Sequence, residues 1–474
     1  MIQKVLTKYW LALHVTLLLA VAWGSAFDSG MGWKAGLLWL SFFAFQAFLL
    51  LPSMLKGETL GMARVRACTS AVYDPFVYVG VALVGVACIQ WLNGGCTLIY
   101  VEDTEVWRYS RPAVGWLPFS IEPLPALAML SFLTAAVSGG VVLRNGVGKL
   151  SRRFFLDAAS MLSGCVAIYM AVMSLLGNQP YSGWSASPHI CNWGTCFGFW
   201  MLVAVGGQLG FLEAHLGKTL VWSVLAVSGN LLGMLLFETP LGVVLFAVAA
   251  LGMLIYWGVV LARQSGGTGV QRLMLAFSMA VALGVMMVAL VVFIKQPVKA
   301  KAAALAEPDA IAAIFDAREF RSSLAWKMWQ DCPWTGVGAG GFTRYGATVI
   351  EETEWPQLKA SDGMLSNDWL QFLTEYGIIG TGLFIALVIV LLIPLVARLR
   401  SALRRLTGKT RDDYLAPAGI DPYVVSGIVA AVMLLLSSVL FSPLQSGATF
   451  ASFVYVLAVI PGLLPAATSD AGNA

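Results

Sequence analysis

Twelve apolar runs of roughly twenty residues each fill most of this chain, and they decide what it can fold into. They lie near 8–27, 32–52, 75–93, 122–143, 154–177, 194–213, 219–237, 240–262, 272–294, 374–397, 421–441 and 445–465. In hydrocarbon a backbone amide or carbonyl must find its partner within the protein, so such runs read as helices. Only 11% of the 474 residues are charged and 59% are hydrophobic; soluble domains carry about 25% charged residues. That balance places the chain in a membrane, and nucleic acid is not expected as a partner. At Glu238-Thr239-Pro240 and Ser442-Pro443-Leu444 a proline sits where an overlong run would turn back as a hairpin. Leu6 to Phe27 is long enough to span and has no clear cleavage site, so no cleavable signal peptide is expected.

Lysine and arginine alternate across these runs. With the amino terminus inside, the inner side receives Lys4, Lys8, Lys56, Arg64, Arg66, Arg144, Lys149, Arg152, Arg153, Arg263 and Arg272. It also receives Arg398, Arg400, Arg404, Arg405, Lys409 and Arg411. The short outer loops hold only Lys34, Arg108 and Arg111. By the positive-inside rule both termini are cytoplasmic and a long loop lies outside. The expected fold is all-α: a polytopic bundle of about twelve transmembrane helices in which one large outer loop contains short helices. Its divisions are 1–294 (helices one to nine), 295–373 (the large loop) and 374–474 (the last three helices with a cytoplasmic tail).

Polar signals concentrate in the large loop. Glu307 to Met328 reads as a helix with proline near its start, and a second helix should begin at Ser366 or Asn367, where a short polar side chain can cap free amides. Arg318, Arg321, Arg344 and Lys327 supply fixed cations of the kind that bind a lipid diphosphate, or else form a solvated helix face paired with Asp316 and Glu319. Gly336-Val337-Gly338-Ala339-Gly340-Gly341-Phe342 lacks the Lys-Ser/Thr of a nucleotide loop. It reads as a tight turn anchoring Phe342 to the membrane face, with a phosphate cradle as the alternative. Asp368, Gln371 and Glu375 share one helical face, where a carboxylate can act as a general base or merely favour the helix start.

Elsewhere, residues 94–121 form an acidic outer loop, and 178–193 form an uncharged one holding His189 and Asn192. The three histidines have no metal-ligand spacing, and no His/Cys metal site is expected. Cys96, Cys191, Cys196 and Cys332 fall on the outer side, where Cys191–Cys196 is the expected disulfide if one forms. Glu238 sits at a membrane turn and should face water or a partner.

Arg321, Trp326, Pro333, Gly336, Gly338 and Phe342, followed by Ser366, Asn367, Asp368, Leu370, Gln371, Glu375, Gly377 and Gly380, together form a pattern. That pattern resembles the O-antigen ligase superfamily, which includes O-antigen polymerases and bacterial protein O-oligosaccharyltransferases. The resemblance implies glycan transfer at the periplasmic face of the bacterial inner membrane, without metal or other cofactor. The donor would be a glycan on undecaprenyl diphosphate, and the acceptor a lipid, a glycan or a protein hydroxyl. Arg321, Arg318, Arg344 and Asn192 would bind substrate, while Asp368, Glu375 and Asn367 would serve catalysis. Two departures stand out: Ser366 occupies the place of the family's histidine, and Glu238-Thr239 that of its Ser-Arg pair. Asp368 or another carboxylate would then replace the base. The alternatives are a non-catalytic glycolipid-binding relative and a lipid-linked glycan transporter.

Overall fold

The computed structural model describes residues 2–24, 31–52, 54, 58–101, 106–110, 112–175, 189–214, 219–238, 240–263, 308–359, 365, 367–406 and 421–464. The first four helices are α1 (Ile2–Gly24), α2 (Met31–Leu50), α3 (Leu60–Val72) and α4 (Pro75–Leu92). A two-stranded antiparallel hairpin, β1 (Leu98–Val101) and β2 (Val106–Tyr109), follows. Then come α5 (Pro123–Val141), α6 (Lys149–Leu175), α7 (His189–Ala214), α8 (Thr219–Phe237) and α9 (Pro240–Arg263). The large loop holds α10 (Pro308–Asp331) and the short helices α11 (Phe342–Gly346) and α12 (Trp355–Lys359). The chain closes with α13 (Asp368–Leu406), α14 (Pro422–Leu440) and α15 (Gly447–Val459).

Helices coincide with eleven of the expected runs; the run at 272–294 lies outside the described residues. Among the described residues six helices are long and apolar enough to cross a membrane, the segments Gly32–Leu50, Pro75–Leu92, Pro123–Gly146, Lys149–Met173, Asp368–Ser401 and Pro422–Leu440. Helix α3 and the hairpin were not legible as elements. The first is short and only weakly apolar; the second is built of two four-residue strands inside a loop.

The bundle is apolar inside and out. Every residue of α15 is buried, and most of α5 is too; the Tyr455 hydroxyl donates to the Ala135 carbonyl at 2.7 Å between them. On α13, by contrast, Ile378, Ile385, Ile389, Ile393 and Val396 are exposed along one face. An exposed stripe of that kind is a liability in water and a solvation surface in lipid. Some polar side chains inside the bundle pair between helices. Asn230 of α8 accepts from Ser163 at 2.6 Å and donates to the Ser160 carbonyl of α6 at 2.8 Å.

Two helices start in the same way. Asp74 and Asp421 cap α4 and α14, each accepting from the amide two residues on, and each is followed by a proline, whose missing N–H costs nothing there. Each aspartate is also held by an arginine, Asp74 by Arg144 of the α5–α6 joint at 2.7 Å and Asp421 by Arg153 near the start of α6 at 2.6 Å. This end lies away from the large loop.

Candidate active site

At the loop end, α10 matches the expected helix within a few residues, with Pro308 in its first turn. Asn367 caps α13 by accepting from the Leu370 amide at 3.2 Å; Ser366 lies outside the described residues. The helix runs through Glu375 as expected, but it is broken at Gly377, whose φ of 63° and ψ of −168° only glycine adopts without strain.

The glycine-rich segment mends that break. The amides of Val337 and Gly338 donate to the carbonyls of Thr374 and Glu375 at 3.0 and 2.9 Å. In return the amides of Ile378 and Ile379 donate to the carbonyls of Pro333 and Trp334 at 2.9 and 3.2 Å. Gln90 of α4 fastens the junction, its side-chain amide donating to the carbonyls of Thr335 and Glu375 at 3.1 and 3.0 Å. Backbones approach so closely here that a Cβ on Gly336 or Gly377 would strike the opposing main chain. The amides of Val337 and Gly338 are therefore engaged in a splice, which corrects the phosphate-cradle alternative. Phe342 is corrected as well. It is buried in the loop's own small core with Leu324, Met328, Val337 and Leu358, rather than anchored on the membrane face.

Glu375 belongs to this splice. Its carboxylate accepts from Gln371 at 2.9 Å and from the backbone of Gly340. Arg344 reaches Glu122 at the start of α5 in an ion pair, with 64% of its side chain exposed. Beside it Tyr345 stacks on Tyr109 of the hairpin, ring centroids 6.2 Å apart. Burial pushes the nearby Cys332 thiol up to about 11.

Two other candidates, Asp368 and Arg318, are held at the end of α14 and the turn 442–446 that follows it. Asp368 is fully buried; its Oδ2 accepts from the Leu444 amide at 2.9 Å, and the Gln445 backbone also donates to this carboxylate. Ser442 donates to the Leu365 carbonyl at 2.7 Å, and Trp369 to Ser438 at 2.9 Å. Arg318 on α10 donates to the Leu440 carbonyl at 2.7 Å, at the carboxyl end of α14, where a cation is favoured. Arg321 lies three residues on, on the same face of α10 and half-buried. Helix α7, which carries Asn192 in its first turn, packs against this turn too.

The turn is also where polar capacity is left over. Among the described residues, Asp368 Oδ1 and Gln445 Nε2 are buried there without a hydrogen-bond partner, as are Ser437 Oγ on α14 and Thr449 Oγ1 on α15. Buried polar atoms are nearly always paired, so unpaired ones at the turn and on the helices that flank it leave capacity for a polar guest. Sequence reading took Ser442-Pro443-Leu444 as a hairpin joint and missed this. The signal was the polar content of Ser442, Gln445 and Ser446 between two apolar runs.

Glu238 is buried and accepts from Thr195 of α7 at 2.5 Å, so its partner is a neighbouring helix. Cys196 is a free, buried thiol, which corrects the expected Cys191–Cys196 bridge. Both residues lie on α7, and five helical positions separate them by about 7.5 Å along the axis, too far for a disulfide. Among the described residues no group of three or more His, Cys, Asp or Glu is arranged to hold a metal ion.

These features define a helical, multi-pass membrane protein with a buried polar candidate site at one end of its bundle. Residues 225–385 match the family model of O-antigen ligase, which supports membership of the O-antigen ligase-like superfamily and bears out the resemblance read from the sequence. The matched segment contains Arg318, Arg321, Arg344, Asn367, Asp368 and Glu375, while Asn192 lies before it. The family points to a glycosyl-transferring membrane enzyme. A comparison with curated proteins gives no match.

Proposed function

We propose that this protein transfers a glycan from an undecaprenyl-diphosphate carrier to a lipid, glycan or protein hydroxyl, at the periplasmic face of the bacterial inner membrane. What supports the reading is that Arg318, bonded to the Leu440 carbonyl, and Asp368, bonded to the Leu444 amide, are held at the same end of α14, with Arg321 three residues along α10 from Arg318 and all three inside the matched segment. The acceptor oxygen forms its bond to the anomeric carbon as the bond from that carbon to the diphosphate oxygen breaks. The bonding pair leaves with the diphosphate, and the acceptor's proton passes to Asp368. Arg321, aided by Arg318 and Arg344, stabilises the charge on the departing diphosphate, for which the planar guanidinium fork is suited. Asn367 caps the helix that carries Asp368, and Glu375 holds the splice beneath it; Asn192, at the start of α7, is assigned to substrate binding. The bundle crosses the membrane twelve times, with both termini cytoplasmic and 295–373 outside.

Purified protein reconstituted with labelled undecaprenyl-diphosphate glycan and candidate acceptors tests this directly. Arg321→Ala should weaken donor capture and slow transfer by about 10²-fold. Transfer at the parent rate by this variant would remove Arg321 from the mechanism. For the topology, single cysteines placed at Ala303 and Ala360 in a cysteine-free background should react with an impermeant reagent outside spheroplasts, and one at Thr410 should not; the reverse pattern overturns the orientation. The full burial of Asp368 favours one second reading, a relative that binds the glycolipid without transferring it. Donor binding that depends on Arg321, with no transfer to any acceptor, would select it.

A further inference from the structure

The end of the bundle opposite the large loop holds a second charged site, which the glycan-transfer reading does not use. A cavity of about 280 Å³ is lined there by Arg144, Arg152 and Arg398, with Asp74 and Asn145. Helix α4 runs from Asp74 to the loop end over about 27 Å, close to the thickness of a hydrocarbon core, so the cavity sits at the far membrane boundary.

Its charges do not cancel. Asp74 is fully engaged: one oxygen accepts from the Phe76 amide, the other from Asn145 at 3.0 Å and from Arg144. Among the described residues, Arg152 donates only to the carbonyls of Leu143 and Arg144, and Arg398 only to the carbonyl of Pro461. Among the described residues neither meets a carboxylate within ion-pair distance. Three guanidinium groups thus share one carboxylate, and the donors left over on Arg152 and Arg398 line the cavity. The Arg152 guanidinium lies directly over Gly462, where any side chain would displace it. Two half-buried cations held side by side by carbonyls repel each other, and a phosphate between them relieves that repulsion while accepting bidentate bonds.

A groove of about 890 Å³ adjoins this cavity and shares Ser70 and Tyr73 with it. Along α3 it is lined by Gly61, Met62, Val65 and Thr69, with the mutually paired Glu58 and Arg66 also on its wall, and Met62 and Val65 are 62% and 68% exposed. A compact cationic cavity opening onto an apolar groove at the membrane boundary matches one kind of molecule. We propose that the Arg144–Arg152–Arg398 cavity binds the phosphate of an anionic phospholipid whose acyl chain lies along the α3 groove.

The test uses the full-length protein in a neutral detergent, with thermal unfolding and native mass spectrometry as readouts. Phosphatidylglycerol should raise the unfolding temperature and remain bound in the mass spectrum, whereas phosphatidylcholine and inorganic phosphate should do neither. Arg152→Gln and Arg398→Gln should each weaken phosphatidylglycerol binding by about tenfold. Arg400→Gln, an exposed arginine two positions along, should leave it unchanged. Val65→Glu, a change at an exposed site that leaves the cavity intact, should also weaken lipid binding, and it keeps the test decisive if an arginine variant fails to fold. Equal effects from phosphatidylcholine, or unchanged phosphatidylglycerol binding in the variants, would overturn the site. A full effect from inorganic phosphate alone would overturn the lipid as its occupant.

Discussion

At the loop end the chain breaks a helix at Gly377 and closes the gap with main-chain hydrogen bonds from 333–338. At the opposite end, unbroken helices start on Asp74 and Asp421, and side-chain ion pairs with Arg144 and Arg153 fasten them. The first arrangement engages backbone and leaves side chains over: Asp368 Oδ1, Gln445, Ser437 and Thr449 are unpaired, and Arg344 stands mostly exposed. The second commits its carboxylates to structure and leaves over only cations. An end held by its main chain can devote side chains to chemistry, whereas an end held by ion pairs can only offer its surplus charge to a counter-ion.

Four substitutions would break or sharpen this contrast, and thermal unfolding of the detergent-solubilised protein reads all of them. Asp74→Ala should have the largest effect. It strands Arg144 in the bundle without its partner, and breaking a buried pair costs about 3–5 kcal/mol. A change no larger than that of an ordinary surface substitution would show that the ion pair is not what fastens this end. Gly377→Ala comes next, at about 2–3 kcal/mol, from a backbone conformation reserved for glycine and a collision with the main chain of Trp334. Hydrogen exchange at Val337 and Ile378 should quicken with it; protection equal to the parent's would rule the splice out as the support of the site.

Asp368→Asn tests the side chains that the splice sets free. Asparagine keeps an oxygen for the Leu444 amide, so the unfolding temperature should hardly move while turnover falls by about 10²-fold with donor binding intact. Parent-rate transfer would reduce Asp368 to an anchor for the turn. Arg344→Ala should matter least to stability, by about 1 kcal/mol or less, because its pair with Glu122 is largely in solvent. A loss of several kcal/mol would mean that the loop end, too, leans on ion pairs.

How much of this could be read beforehand follows from range along the chain. The apolar runs, the proline-led start of α10, the Asn367 cap and the helix through Glu375 are local, set by hydropathy and capping within a few residues. The glycine segment was legible as a turn, but not as the partner of carbonyls some forty positions later. Its role as a splice exists only once α13 lies alongside it. Phe342 could not be placed, because an aromatic side chain before a membrane span suits either a lipid boundary or a small core, and only the packing of Leu324 and Leu358 around it decides. The aspartate at 368 was visible as a carboxylate on a helix face; its burial against a turn seventy-six residues away was not. By itself the sequence determined a mostly helical chain for a membrane and the family to which 225–385 is similar. Tertiary structure alone decided what holds Asp368, which glycines mend a broken helix, and that Arg144, Arg152 and Arg398 line one cavity at the opposite end. Hydropathy acts within one segment, while hydrogen bonds and ion pairs between distant segments exist only after those segments have packed.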